Sequence, residues 1–109
     1  MGDKLRGQLT ESMFYVLMAF LQEERCGTDV AAYVEQRTHG RLRLGPGTLY
    51  TLLGKFQEEH LIEETQVEGR KRTYRITQKG LEAYAAELER LERCVRDARQ
   101  AEGKEEEAP

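Results

Sequence analysis

Residues 13–21 read MFYVLMAFL, the longest apolar run in a chain of 109 residues of which 34% are charged. Thr10, a good N-cap, stands just ahead of it, so the run is expected on a helix that continues to about Glu24. On that helix Met13, Phe14, Val16, Leu17, Met18, Phe20 and Leu21 go nearly all the way round the axis. Such a helix has to be buried on two sides, and a small domain has only a limited core to offer. The second side is therefore expected to meet another subunit. The run is far too short for a membrane span, which needs about 20 residues.

The remaining segments punctuate themselves. Gly27 interrupts the apolar pattern, and Gly27 or Thr28 caps a second helix to about Thr38, with Val30, Tyr33, Val34 and Arg37 on one face. His39 and Gly40 close it, Gly40 in the left-handed conformation that ends helices. RLRL at 41–44 alternates basic and apolar residues, the pattern of a very short strand. A third helix is announced by GPG, since Pro46 suits the first helical position. Leu49, Leu52, Leu53 and Phe56 follow at helical spacing and define its buried stripe. Its opposite face carries Gly47, Thr51, Gly54 and Glu58, flanked by Tyr50 and Lys55.

Residues 61–67 and 72–77 have strand composition, with Glu68, Gly69, Arg70 and Lys71 as the turn between them. The hairpin therefore has a basic tip of Arg70, Lys71 and Arg72, with Arg75 behind it. Thr77 starts a fourth helix running to about Gln100, roughly 34 Å at 1.5 Å per residue. Its apolar residues keep a seven-residue repeat, Leu81, Leu88 and Val95 at one position and Tyr84, Leu91 and Ala98 at the other. That is a coiled-coil-like seam, on a helix longer than the small domain beside it needs. Three compact helices followed by a two-stranded wing make a winged helix-turn-helix. The expected fold class is mainly α with a small β-hairpin. A winged helix-turn-helix domain is expected at 1–77, a dimerisation helix at 78–101 and a disordered acidic tail at 102–109.

Several function classes fall away. Cys26 and Cys94 make neither a disulfide framework nor a zinc spacing, and read as buried small hydrophobes. His39 and His60 flank helix ends as surface or capping residues. No Ser-His-Asp order, paired-carboxylate context or phosphate loop stands out, so no enzyme activity, metal or cofactor is expected. The N-terminal MGDKLRGQLTES lacks the order of a signal peptide and the Ser or Thr of a myristoylation signal. A soluble cytoplasmic protein that avoids membranes is expected. The formal net charge of −3 argues against a nucleic-acid partner only until it is split. Residues 37–79 hold 9 basic and 5 acidic side chains, whereas both flanking segments are net acidic.

LTESMFYVLMAFL, LRLGPGTLYTLLGKFQEEHLIEE and EGRKRTYRITQKG together resemble the PadR family of bacterial transcriptional regulators. The most specific part is GPGTLYTLL followed by the basic hairpin and the ITQKG helix start, and the resemblance covers about residues 5–100. It implies a homodimeric DNA-binding repressor that reads a near-palindromic double-stranded operator through its third helix and wing. The single C-terminal helix is similar to that of the smaller members. The residues themselves agree. Gly47 removes a side chain that would hold the backbone off the phosphates, Thr48, Tyr50 and Thr51 offer hydroxyls, and Lys55 adds charge. Arg70, Lys71 and Arg72 suit a neighbouring phosphate strand or a narrow A·T-rich minor groove.

The dimer is expected to use Met13, Phe14 and Leu17 of the first helix with Leu81, Tyr84, Leu88, Leu91 and Val95 of the fourth. The resemblance also implies a small aromatic or amphipathic effector between these helices, in a pocket of Phe14, Leu17, Met18, Tyr84 and Leu88. Drug-binding members stack flat ligands on a tryptophan pair, and this chain has no Trp. Two further departures are Gly54 inside the third helix and His60 where a glycine usually ends it. The rival reading is a winged-helix protein–protein adaptor that never touches DNA, against which the basic wing counts.

Overall fold

The computed structural model describes residues 9–103, so the N-terminal signals and most of the acidic tail lie outside the described residues. The elements run α1 (Glu11–Met18), β1 (Arg25–Cys26), α2 (Gly27–Arg37), α3 (Pro46–Glu58), β2 (Ile62–Glu68), β3 (Lys71–Ile76) and α4 (Gln78–Ala101). The three strands form one antiparallel sheet in the order β1-β3-β2. This is a winged helix-turn-helix with a long C-terminal helix.

Thr10 caps α1 as its sequence suggests. Its Oγ1 accepts from the Met13 amide at 3.1 Å, while its own amide donates to Met13 Sδ at 3.4 Å. The helix stops at Met18, well short of Glu24. Its last turn tightens, with Phe20 N–H donating to Leu17 and Leu21 N–H to Met18. Arg25 Nε then donates to the Ala19 carbonyl at 2.6 Å, satisfying an acceptor that the helix leaves open. The early stop turns Phe20 into the core at 2% exposure, edge-on to Tyr74 of β3.

The two-sided burial of α1 is met inside the chain. Val16 and Leu17 are fully buried with Val30, Val34, Leu53 and Phe56 of α2 and α3. On another side the Phe14 ring stacks on Tyr84 of α4, with centroids 5.0 Å apart and planes 5° apart. No second subunit is needed to cover this helix.

The short strand expected at 41–44 does not form. That segment is tied instead by Thr38, whose hydroxyl donates to the Val34 carbonyl at 2.8 Å and accepts from the Leu42 amide at 3.0 Å. The third strand is Arg25–Cys26, which pairs with Tyr74 and Thr73 on the free edge of β3. An alternating tetrapeptide has strand character anywhere, but only a segment that reaches an open sheet edge can make the ladder.

The exits of α2 and α3 use left-handed residues. His39 and Gly40 close α2 with φ of 54° and 80°, and Gly40 N–H reaches the Glu35 carbonyl at 2.8 Å. His60, with φ of 63°, closes α3 in the place where a glycine is usual, and Leu61 N–H bonds the Phe56 carbonyl at 2.8 Å. Thr77 then caps α4, accepting from the Gly80 amide at 3.0 Å and donating to the His60 carbonyl at 2.7 Å. Gly80 packs on the Leu61 backbone, where a Cβ would collide with the carbonyl oxygen. The start of α4 is thus bolted to the end of α3.

Farther along α4, Glu87 is the buried acid of the described residues, at 2% exposure. It accepts from the Leu9 amide at 3.3 Å and pairs with Arg90, which holds its carboxyl below the ordinary range. Leu81, Leu88 and Val95 are 39%, 37% and 50% exposed, so the heptad row of α4 lies open along its length. Cys26 is buried as expected, whereas Cys94 is exposed on α4, where no element of the described residues packs over its turn.

Candidate nucleic-acid interface

The buried stripe of α3, Leu49, Leu53 and Phe56, turns its opposite face outward. Gly47, Thr48, Tyr50 and Thr51 are exposed there and Lys55 is half-buried. A Cβ added at Gly45, Gly47 or Gly54 would meet nothing within 4 Å. This face is therefore shallow, with bare backbone at its N-terminal end and Tyr50 standing out of it.

Across from this face rises the wing. Gly69, with φ of 62°, makes the tight reversal between β2 and β3, and a bulge between Glu64 and Gln66 breaks the ladder below it. Thr65 at the bulge donates to Glu24 at 2.9 Å, tying the wing to the segment after α1. The tip cations differ in their surroundings. Arg72 bonds Glu64 at 2.6 Å and Arg75 bonds Glu63 at 2.7 Å, so both carry compensated charge. Arg70 and Lys71 have no ion-pair partner among the described residues and are exposed. Burial, helped by Glu64, pushes the Tyr74 hydroxyl up, so it stays a neutral phenol at the base of the wing.

Between α3 and the wing lies a cleft of about 590 Å³. Tyr50, Gly54 and Gln57 form one wall, Arg70, Lys71 and Arg72 the other, and Gly27 and Thr28 at the start of α2 close one end. The structure thus brings together Tyr50 and the three wing cations, while Gly47, Thr48, Thr51 and Lys55 lie on α3 outside the cleft lining. Gly27, Thr28 and Gln57 were not among the expected residues. Gln57 sits seven positions past Tyr50 and three past Gly54, on the same side of α3, and was open to a fuller helical-wheel count. The start of α2 had no such signal, because the β1–β3 pairing that carries it there is non-local.

The residues expected at a dimer seam separate into three groups. Leu81, Leu88 and Val95 are exposed, and Tyr84 and Leu91 are half-buried against their own core. Met13, Phe14 and Leu17, at 6%, 8% and 0% exposure, are packed into the core of their own chain. Their apolarity is spent on α2, α3 and α4. The effector set divides the same way: Phe14 and Leu17 are buried, Met18 and Tyr84 half-buried, and Leu88 exposed. The Phe14–Tyr84 stack leaves no room for a flat ligand between the two rings. No helix among the described residues is long and apolar enough to cross a membrane.

The family model of the transcriptional regulator PadR-like family matches residues 16–86. A transcriptional regulator from Clostridium thermocellum superposes with a TM-score of 0.72 at 20% identity, over 81% of this chain and 86% of that one. A PadR-like transcriptional regulator from Bacillus cereus gives 0.69 at 23% identity, over 83% and 89%. Bacillus subtilis PadR, in complex with operator DNA, gives 0.64 at 19% identity, over 72% of this chain and 47% of that one. At these identities the likeness is one of fold.

Proposed function

The chain belongs to the PadR-like family of transcriptional regulators and is no enzyme, and from that premise we propose that it is a homodimeric DNA-binding repressor. The observation that carries the reading is the cleft in which the open face of α3 meets a wing tip bearing two cations that have no ion-pair partner among the described residues. The N-terminal turn of α3 enters the major groove, where Gly45 and Gly47 let the backbone come close to the duplex. Thr48, Tyr50 and Thr51 present hydroxyls to base edges or phosphates, and Lys55 adds charge from the same helix. Arg70 and Lys71 rest on the neighbouring phosphates, with Arg72 beside them. That Bacillus subtilis PadR, of similar fold, forms a complex with operator DNA supports a DNA duplex as the partner.

The open row Leu81, Leu88 and Val95 supports a second copy of the chain, with Tyr84 and Leu91 at its margin. Two readers related by a two-fold axis call for a near-palindromic operator. The protein acts in the cytoplasm, where the duplex is.

Selection from a random duplex library tests the proposal. Enrichment of a two-fold symmetric motif is the expected result. An asymmetric motif overturns the dimer, and failure to retain any duplex leaves the protein–protein adaptor as the reading.

A further inference from the structure

Tyr50 is the large side chain that α3 leaves in the open, 51% exposed on its outward face. An aromatic ring on an exposed helix position ordinarily exchanges between rotamers, which scatters its hydroxyl over several places. Here the ring leans across to α2. A Cβ built on Gly27 would lie 2.7 Å from the Tyr50 hydroxyl oxygen, 2.9 Å from Cε1 and 3.0 Å from Cζ. One turn along α3, a Cβ on Gly54 would meet nothing, so the ring does not lie along its own helix.

The glycine at 27 is not there for its backbone. Its φ is outside the left-handed region, which holds Gly40, Gly69 and Gly103. It is the first residue of α2, and its helical conformation is one that alanine adopts at lower cost. What distinguishes the position is space: Gly27 is buried, and the Tyr50 ring occupies the volume where any other residue would put its Cβ. The clashing atoms are the far end of a flexible, half-exposed side chain. A larger residue at 27 would therefore swing Tyr50 away and leave the fold standing.

We infer that Gly27 is a positioning residue of the reading surface: its bare backbone seats the Tyr50 ring and so fixes where the Tyr50 hydroxyl is presented to DNA. The inference rests on the proposal that this face binds DNA, and it extends the reading head from α3 and the wing to the first residue of α2. Seating the ring before binding removes rotamers that would otherwise be lost on binding.

The test uses the full chain as wild type, Gly27→Ala, Tyr50→Ala and the double variant, with the selected duplex and with no DNA. Without DNA, NMR of isotope-labelled tyrosine rings reports on five tyrosines, the Tyr50 signal being the one absent from Tyr50→Ala. Gly27→Ala is expected to shift the Tyr50 signal and leave the other rings and the thermal midpoint nearly unchanged. On the duplex it is expected to cost about thirtyfold in affinity, the value of one hydrogen bond lost in each of two protomers. It should cost nothing further in the Tyr50→Ala background. An unmoved Tyr50 signal, or an equal affinity loss in both backgrounds, overturns the positioning role. A wild type that retains no duplex overturns the DNA reading instead, while the ring signal still decides the Gly27–Tyr50 contact.

Discussion

Replacing Arg70 and Lys71 together by alanine removes the wing-tip cations that lack an ion-pair partner among the described residues. In a two-fold assembly that is four charges. If each rests on a phosphate, the slope of log K against log salt falls in magnitude by about 3.6, at about 0.9 per phosphate neutralised. Between about 50 and 200 mM salt, wild type should then lose about 150-fold more affinity than the double variant. Fluorescence anisotropy of a labelled duplex across a salt series measures this directly. It does not require the operator, because counterion release is independent of sequence. Glu64→Gln should act in the opposite direction, since it releases Arg72 from its 2.6 Å partner. Its slope should steepen by up to about 1.8 per dimer. All three side chains lie on the wing surface or its margin, so thermal midpoints should barely change. A double variant with the wild-type slope would refute the placement of the wing on phosphates, and an unchanged slope in Glu64→Gln would refute the compensation by Glu64.

Other substitutions probe the seam and the joints. Leu88→Asp places a charge on the open row of α4 and should yield monomers with lost operator affinity; an unchanged sedimentation profile refutes the seam. Glu87→Gln should cost about 1.5 kcal/mol at neutral pH, the lower end for charge-assisted bonds, because Arg90 is about one-third exposed. The Glu87 carboxyl is held below its ordinary range in the folded chain. Its stabilisation is therefore complete above the ordinary carboxylate pKa and lost as pH falls through the lowered one. Urea unfolding of the two proteins should converge in acid, and a gap that widens there contradicts the assignment. Gly80→Ala drives a Cβ onto the Leu61 carbonyl and Ile76 Cγ1, and should lower stability by about 1–3 kcal/mol despite the better helix former. A raised thermal midpoint would mean that the joint yields.

Much of this architecture is written in short-range chemistry. Thr10 and Thr77 cap the helices that follow them because a side-chain oxygen needs to reach only three residues ahead. Pro46 opens α3, and Gly69 turns the hairpin, for reasons of φ that concern a single residue. The stripe of α3 follows from helical spacing, and its polar outer face follows with it. The end of α1 was not legible in this way, because an Arg25 side chain finishes it from outside the helix. Nor was the third strand, which depends on which segment meets the free edge of β3. His60 in the left-handed region could be placed only by the bond that Leu61 makes back to Phe56.

The same division runs through the apolar segment 13–21. Its composition requires burial on more than one side, since a helix with no polar face has none to give to water. It does not name the neighbour. Phe14 stacked on Tyr84 shows that the long α4 returns to cover its own chain, which leaves Leu81, Leu88 and Val95, and not α1, facing outward. On the reading face, residue types and local spacing selected Tyr50, Thr51 and the wing cations. Pairing across the sheet then compensated Arg72 with Glu64, left Arg70 and Lys71 without ion pairs among the described residues, and brought Gly27 beneath the Tyr50 ring. Caps, turns and stripes arise from interactions within a few residues, where order along the chain is enough. Which cation is neutralised, and which backbone a ring rests on, arise between segments that meet only after the sheet has closed.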